Sequence, residues 1–97
     1  MYAMMLVRYR AAAEEMEKVT EAHRDYLRQL QEQGTVLASG PMIPRSGGMI
    51  LVRVPDENAA EALDKLRDND PFYLKGVANY ELVAWHVASG KEGLDKL

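Results

Sequence analysis

Two histidines, His23 and His86, are the side chains of this sequence that titrate near neutral pH. His23 lies between Val19 and Leu27 in a series of apolar residues spaced three or four apart, which places it on the inner face of a predicted helix. Two interpretations stay open for it. The ring is either a core histidine with satisfied nitrogens or an imidazole that faces a pocket and transfers protons. His86, beside Trp85, is expected in an interface or a core.

Asp70 directly precedes Pro71, a pair that is typical of a helix N-cap followed by the first helical residue. A carboxylate fixed in this way could also hold His23 in one tautomer and stabilise its protonated form. The two roles are compatible. The sequence neither excludes nor establishes a contact between the two side chains.

Ser39 is a candidate pocket hydroxyl, because it stands beside Gly40 and Pro41 at the end of a predicted strand. Nothing around it resembles a nucleophile elbow, so a turn residue or hydrogen-bond donor is favoured over a nucleophile. Phe72 is one of several aromatic residues that could line a cleft, although such residues more often pack in a core.

Composition excludes several classes of site and partner. The chain has no cysteine, its histidines are far apart, and it carries no glycine-rich phosphate-binding motif, so we expect neither a metal nor a cofactor. A net charge of −3 argues against nucleic-acid binding. The apolar stretch 3–7 is closed by Arg8 and is too short to span a membrane, and no basic segment precedes it. A cytoplasmic protein is expected.

Hydrophobic periodicity and turn residues predict a β-α-β-β-α-β order, which is the ferredoxin-like α+β arrangement. Gly47 and Gly48 are interpreted as part of a turn, and Asp56 or Asn58 as the cap of the second helix. The predicted elements are a strand at 1–9, a helix from about 12 to 34, strands at 35–39 and 49–54 joined by a loop at 42–48, a helix after 58, a short helical turn at 72–75 and a strand at 78–88.

The predicted strands are apolar on both faces, whereas two helices can cover only one face of a four-stranded sheet. An uncovered apolar face marks an interface. We therefore expect a homodimer whose antiparallel sheets pack face to face. With 97 residues the chain is expected to form one domain, with a core at 1–90 and a polar C-terminal tail at 91–97.

Several motifs, in order along residues 1–90, resemble the YCII-related (YciI-like) family. They are Ala22-His23-Arg24-Asp25-Tyr26-Leu27 followed by Leu30 and Gly34, then Leu37-Ala38-Ser39-Gly40-Pro41, Asp70-Pro71-Phe72 with Gly76-Val77, and Tyr80-Glu81-Leu82-Val83-Ala84-Trp85. The resemblance implies a dimeric α/β barrel and an active-site pair carried here by His23 and Asp70. One branch of the family is a dehydrochlorinase of a chlorinated hydroxyhydroquinone, which makes lyase-type proton abstraction available to the fold.

The leading hypothesis is a small cofactor-free enzyme. His23 would act as general base or acid and Asp70 would orient it, while Ser39, Gly40, Pro41 and Phe72 would help to bind a small polar or aromatic molecule. The alternative is a non-catalytic small-molecule-binding or accessory module. Neither hypothesis identifies a substrate, because substrate does not transfer with fold.

Overall fold

Strands and helices alternate along the chain much as the periodicity predicts. The structure, a computed structural model, describes residues 1–97. Its elements are β1 (Tyr2–Tyr9), α1 (Ala13–Glu32), β2 (Val36–Pro41), β3 (Gly47–Arg53), α2 (Ala59–Asp68), α3 (Pro71–Leu74), β4 (Ala78–Trp85) and α4 (Lys91–Asp95). The strands form one antiparallel sheet in the order β2-β3-β1-β4, so the ferredoxin-like α+β fold is confirmed.

Helix α1 forms where the sequence changes to helical spacing. Two glutamates, Glu14 and Glu15, lie in its first turn, where negative side chains favour the positive end of the helix dipole. Gly34 follows the helix with a φ of 81°, a left-handed conformation that glycine adopts without steric cost. On the inner face, Met16 is buried in the core, and the partly buried Leu27 packs against the core.

The core lies between one face of the sheet and the helices. Central strand β1 pairs with β3 on one side and β4 on the other. Helices α1, α2 and α3 each contribute a buried side chain to the core, whereas α4 contributes none. The core consists of Ala3, Met5, Val7, Met16, Val36, Ile50, Val52, Val54, Leu63, Phe72, Val77 and Ala78.

The opposite face of the sheet, which we call the open face, carries apolar side chains that helices α1, α2 and α3 do not cover. Met49, Val83 and Trp85 are 43%, 40% and 43% exposed on it. Met4 and Leu51 lie between them in register and are only half-buried. The two-sided apolar character expected of the strands is therefore present.

The interpretation of Gly47 and Gly48 as a turn was wrong, because both belong to β3 and the loop spans only 42–46. Gly47 pairs with Arg8, and a Cβ atom on it would lie 1.7 Å from the carbonyl oxygen of Val7. Glycine is needed there for the close approach of two strands rather than for a reversal of the chain. Strand β2 likewise continues through Pro41, which pairs with Gly48.

Of the two residues expected to cap helix α2, one takes the N-cap position but makes no capping hydrogen bond. Asn58 occupies the N-cap position in a left-handed conformation, with a φ of 61°, and its side chain makes no capping hydrogen bond. The Asp56 carboxylate instead accepts a hydrogen bond of 2.5 Å from the N-terminal amine of Met1. That ion pair connects the start of β1 to the segment before α2.

The C-terminal segment, expected as a polar tail, contains the short helix α4. The Tyr2 hydroxyl donates a hydrogen bond of 2.5 Å to Asp95, and Arg53 donates to the carbonyl oxygen of Leu97 at 2.8 Å. Tyr2 and Arg53 are cross-strand partners, and Tyr2 also pairs with Trp85 on the open face. Helix α4 therefore covers one end of the open face. Strand β4 ends at Trp85, before the predicted limit at residue 88.

Candidate functional site

Helix α1 places His23 above the sheet, one turn after Val19 and one turn before Leu27, both of which pack against the core. Because the ring shares this apolar face, only 13% of the His23 side chain is exposed. Its exposed portion lines a cavity between α1 and the sheet. His23 is therefore a nearly buried histidine that also lines a cavity, and its use in proton transfer stays a prediction.

Asp70 ends the segment before α3 and is completely buried. Its Oδ1 atom accepts the backbone N–H of Phe72 at 3.0 Å, which makes Asp70 the N-cap, with Pro71 at the first helical position. The predicted cap is confirmed. A buried carboxylate is costly unless it is hydrogen-bonded and paired, so the cap bond alone leaves this charge undercompensated.

The second partner of the carboxylate is the imidazole. Nδ1 of His23 lies 2.7 Å from Oδ1 of Asp70. Because a carboxylate accepts, Nδ1 carries the hydrogen of that bond, and Nε2 is left with a lone pair when the ring is neutral. This arrangement fixes the tautomer and presents Nε2 as the basic nitrogen.

Aromatic packing fixes the plane of the imidazole. The rings of His23 and Phe72 are stacked, with centroids 3.9 Å apart and an angle of 7° between the planes. Tyr9 meets Phe72 edge to face, with centroids 5.9 Å apart. The edge-to-face arrangement of Tyr9 and Phe72 is a favourable aromatic geometry. Phe72 thus supplies the amide that binds Asp70 and the ring that supports His23, so one short helix positions both members of the pair.

Two tyrosines surround the buried carboxylate. Burial and the negative charge of Asp70 raise the pKa of Tyr26 to about 12. The same two causes raise the pKa of Tyr80 far above its ordinary value. The Tyr26 hydroxyl donates to the carbonyl oxygen of Leu66 at 2.7 Å, whereas the Tyr80 hydroxyl and Oδ2 of Asp70 are buried without a hydrogen-bond partner. Both phenols stay neutral around the pair at physiological pH.

The cavity beside His23 has a volume of about 250 Å³. This is slightly below the range of about 300–1,000 Å³ of pockets for drug-sized ligands, so it fits a small molecule. All the residues expected to help bind a substrate line it. The lining residues are Val7, Tyr9, Thr20, His23, Arg24, Leu27, Ser39, Gly40, Pro41, Arg45, Gly48, Met49, Ile50 and Phe72.

Sequence reasoning did not identify three polar residues of this lining, Thr20, Arg24 and Arg45. Arg24 lies beside His23 in the sequence, but helical spacing alone assigns it to the charged outer faces of α1. Arg45 lies in the loop between β2 and β3, whose position over α1 depends on tertiary packing. The Thr20 hydroxyl donates to the carbonyl oxygen of Met16 at 2.7 Å, so the helix backbone already uses its hydrogen.

His86 lies outside this site. It follows β4 and is exposed, so the core role considered for it was wrong and the interface role stays a prediction. The structure contains no group of three or more acidic or histidine side chains that could together hold a metal ion. No helix combines the length and apolar character needed to cross a membrane.

The fold and the site define a small ferredoxin-like α+β protein with a His–Asp pair at the wall of a cavity. Comparison with family models matches residues 1–86 to the YCII-related domain. The chain therefore belongs to the YCII-related family, which confirms the resemblance found in its motifs.

A solved structure similar to this chain is 5-chloro-2-hydroxyhydroquinone dehydrochlorinase (TftG) from Burkholderia phenoliruptrix AC1100, in complex with 2,5-dihydroxybenzoquinone. The TM-score is 0.73 at 16% sequence identity, and the alignment covers 89% of this chain and 94% of that chain. At this identity the likeness shows a shared fold. No curated protein matched the chain in sequence.

Replacing Asp70 tests its structural role. Asp70→Ala is expected to lower the free energy of unfolding by about 1–3 kcal/mol, because it removes a cap and leaves the Phe72 amide and His23 Nδ1 without an acceptor. Urea denaturation measures the change. Asp68→Ala removes an exposed carboxylate of the same segment and is expected to cost at most about 1 kcal/mol. Equal losses in the two variants would contradict the assignment.

The raised pKa values of Tyr26 and Tyr80 predict a loss of stability at alkaline pH. Unfolded tyrosines ionise near pH 10, whereas Tyr26 stays protonated up to about pH 12 in the folded chain. The stabilisation is fully present below pH 10 and is lost as the pH rises from 10 towards 12. Urea denaturation at pH 8 and pH 11 measures the decline, which is expected to be smaller in Tyr80→Phe. An unchanged decline in that variant would exclude Tyr80 as a cause.

Proposed function

We propose that this protein is a small enzyme that uses His23 and Asp70 to transfer a proton to or from a small polar or aromatic molecule. The observation that carries the proposal is the 2.7 Å contact between Nδ1 of His23 and the buried Asp70 carboxylate, at the wall of a cavity. This contact leaves Nε2 as the base, and the carboxylate offsets the positive charge that the ring gains when it takes a proton.

Lyase chemistry suits such a pair. Nε2 of His23 removes a proton from the substrate, and the electron pair of the broken bond to hydrogen forms a new double bond. The bond to the leaving group breaks at the same time, and the leaving group departs with the electron pair of that bond. The protonated ring then returns the proton to water or to the leaving group. The similar solved structure is a dehydrochlorinase, which supports an elimination of this type on the same fold. Ser39 and the backbone at Gly40 and Pro41 would hold the substrate against Phe72.

The catalytic hypothesis is tested on compounds that raise the melting temperature of the protein in a metabolite screen. For a compound that is converted, His23→Ala is expected to lower kcat by about 10²- to 10⁴-fold, because the base is lost. Asp70→Asn keeps an acceptor for the Phe72 amide but removes the negative charge, so a decrease of about 10²-fold or more is expected.

His86→Ala is the matched control, because it removes the other, exposed histidine and is expected to leave kcat unchanged. Compounds that bind without conversion by the wild-type protein would instead favour the alternative, a non-catalytic binding module. Conversion that persists at the wild-type rate in His23→Ala would contradict the proposed mechanism.

We also propose that the functional unit is a homodimer of single-domain chains, with the open faces of two sheets packed together as a barrel. Three large apolar side chains of this face, Met49, Val83 and Trp85, are about 40% exposed in one chain. Burying such side chains contributes about 1.5–3 kcal/mol each when burial is complete. A second copy presents a face of the same chemistry, which suits a two-fold symmetric interface.

Light scattering coupled to size-exclusion chromatography tests the dimer. The wild-type protein is expected at twice the chain mass of 10.9 kDa, and Trp85→Asp is expected at or near the monomer mass, since it places a charge in the apolar contact. Leu74→Asp alters an exposed leucine of α3, away from the open face, and is expected to remain dimeric. A monomeric wild-type protein would overturn the proposal.

A further inference from the structure

The charge of the cavity lining differs in sign from that of the whole chain. The protein carries a net charge of −3, with fifteen acidic side chains. The fourteen residues that line the cavity beside His23 include Arg24 and Arg45 and no Asp or Glu. A cavity lined by one sign of charge focuses the local potential and concentrates ligands of the opposite sign.

Both arginines line an adjoining groove as well as the cavity. A larger adjoining groove shares four lining residues with the cavity, and these are Tyr9, Thr20, Arg24 and Arg45. Both guanidinium-bearing residues are exposed, whereas His23 at the cavity wall is nearly buried. Arg24 and Arg45 are therefore the charged residues that the groove and the cavity share, whereas Glu17 lines the groove alone.

Arg24 and Arg45 also differ from other arginines of the chain in having no partner. Arg8, Arg28 and Arg67 each form an ion pair with a carboxylate of a neighbouring residue or strand. Neither Arg24 nor Arg45 forms an ion pair or a side-chain hydrogen bond in this structure. Their planar donor groups are free to bind a carboxylate or an enolate oxygen, often through two hydrogen bonds at once.

We propose that the cavity selects small anionic molecules, with Arg24 and Arg45 binding the negative group while the remainder of the molecule reaches His23. The class comprises planar carboxylates and acidic enols or phenols that fit within about 250 Å³. This inference rests on the proposed function only in using the same cavity as the substrate site. When His23 removes a proton, the substrate gains negative charge, which the same arginines stabilise.

Benzoate and benzamide test the inference, because they have nearly the same shape and differ in charge. Binding is measured by NMR titration of the ¹⁵N-labelled protein at low ionic strength. Benzoate is expected to shift the amide signals of cavity residues and to bind more tightly than benzamide. Arg24→Gln and Arg45→Gln are each expected to weaken benzoate binding by about two- to fivefold, and the double variant is expected to abolish the preference.

Arg28→Gln is the matched control, because it removes the same charge from the same helix at a residue that does not line the cavity. It is expected to leave the preference intact. His23→Gln is also expected to retain the preference, so a failure of the catalytic proposal is distinguishable from a failure of this one. Absence of benzoate binding, equal affinity for benzamide, or a preference that survives in the double arginine variant would each overturn the inference.

Discussion

The structure of the site depends on one buried carboxylate. Oδ1 of Asp70 accepts hydrogen bonds from the Phe72 amide and from Nδ1 of His23, so a single atom joins α3 to α1. A charge in this position needs both partners, because no solvent reaches it. The cap fixes the start of α3, α3 places the Phe72 ring under the imidazole, and the imidazole compensates the carboxylate. Each of these contacts is therefore a condition for the other two.

Three glycines, Gly40, Gly47 and Gly48, lie in the β2–β3 hairpin that borders the cavity. Gly47 allows β3 to approach β1 at a distance where any side chain would strike the carbonyl group of Val7. In the same hairpin, Gly48 pairs with Val7 on the core side of the sheet and lines the cavity. Gly48 therefore adds no side-chain volume to this side of the sheet. The cavity is bounded by α1 on the opposite side and by Phe72 next to the imidazole.

The sequence carried the local parts of this arrangement but not the tertiary ones. The Asp70-Pro71 cap and the position of His23 on the apolar face of α1 are encoded within a few residues, and both were predictable. The contact between them joins residues 47 apart, so spacing could suggest it but not establish it. Gly47 was misread because paired glycines are typical of turns, and only the register with β1 reveals the close approach. Arg45 gave no signal, since its role depends on where a loop lies over another element.

The charged residues of the site form two groups with different effects, the buried Asp70 and the exposed Arg24 and Arg45. The negative charge of Asp70 lies at Nδ1 of the imidazole and, together with burial, keeps Tyr26 and Tyr80 neutral. Arg24 and Arg45 line the cavity beside His23 and also the adjoining groove. An anion bound by them would lie in the cavity that the imidazole lines. With the Asp70 carboxylate at Nδ1, the imidazole can accept a proton at Nε2. The arginines of the same cavity can stabilise the negative charge that the substrate gains when it loses this proton, so the cavity would serve both binding and proton transfer.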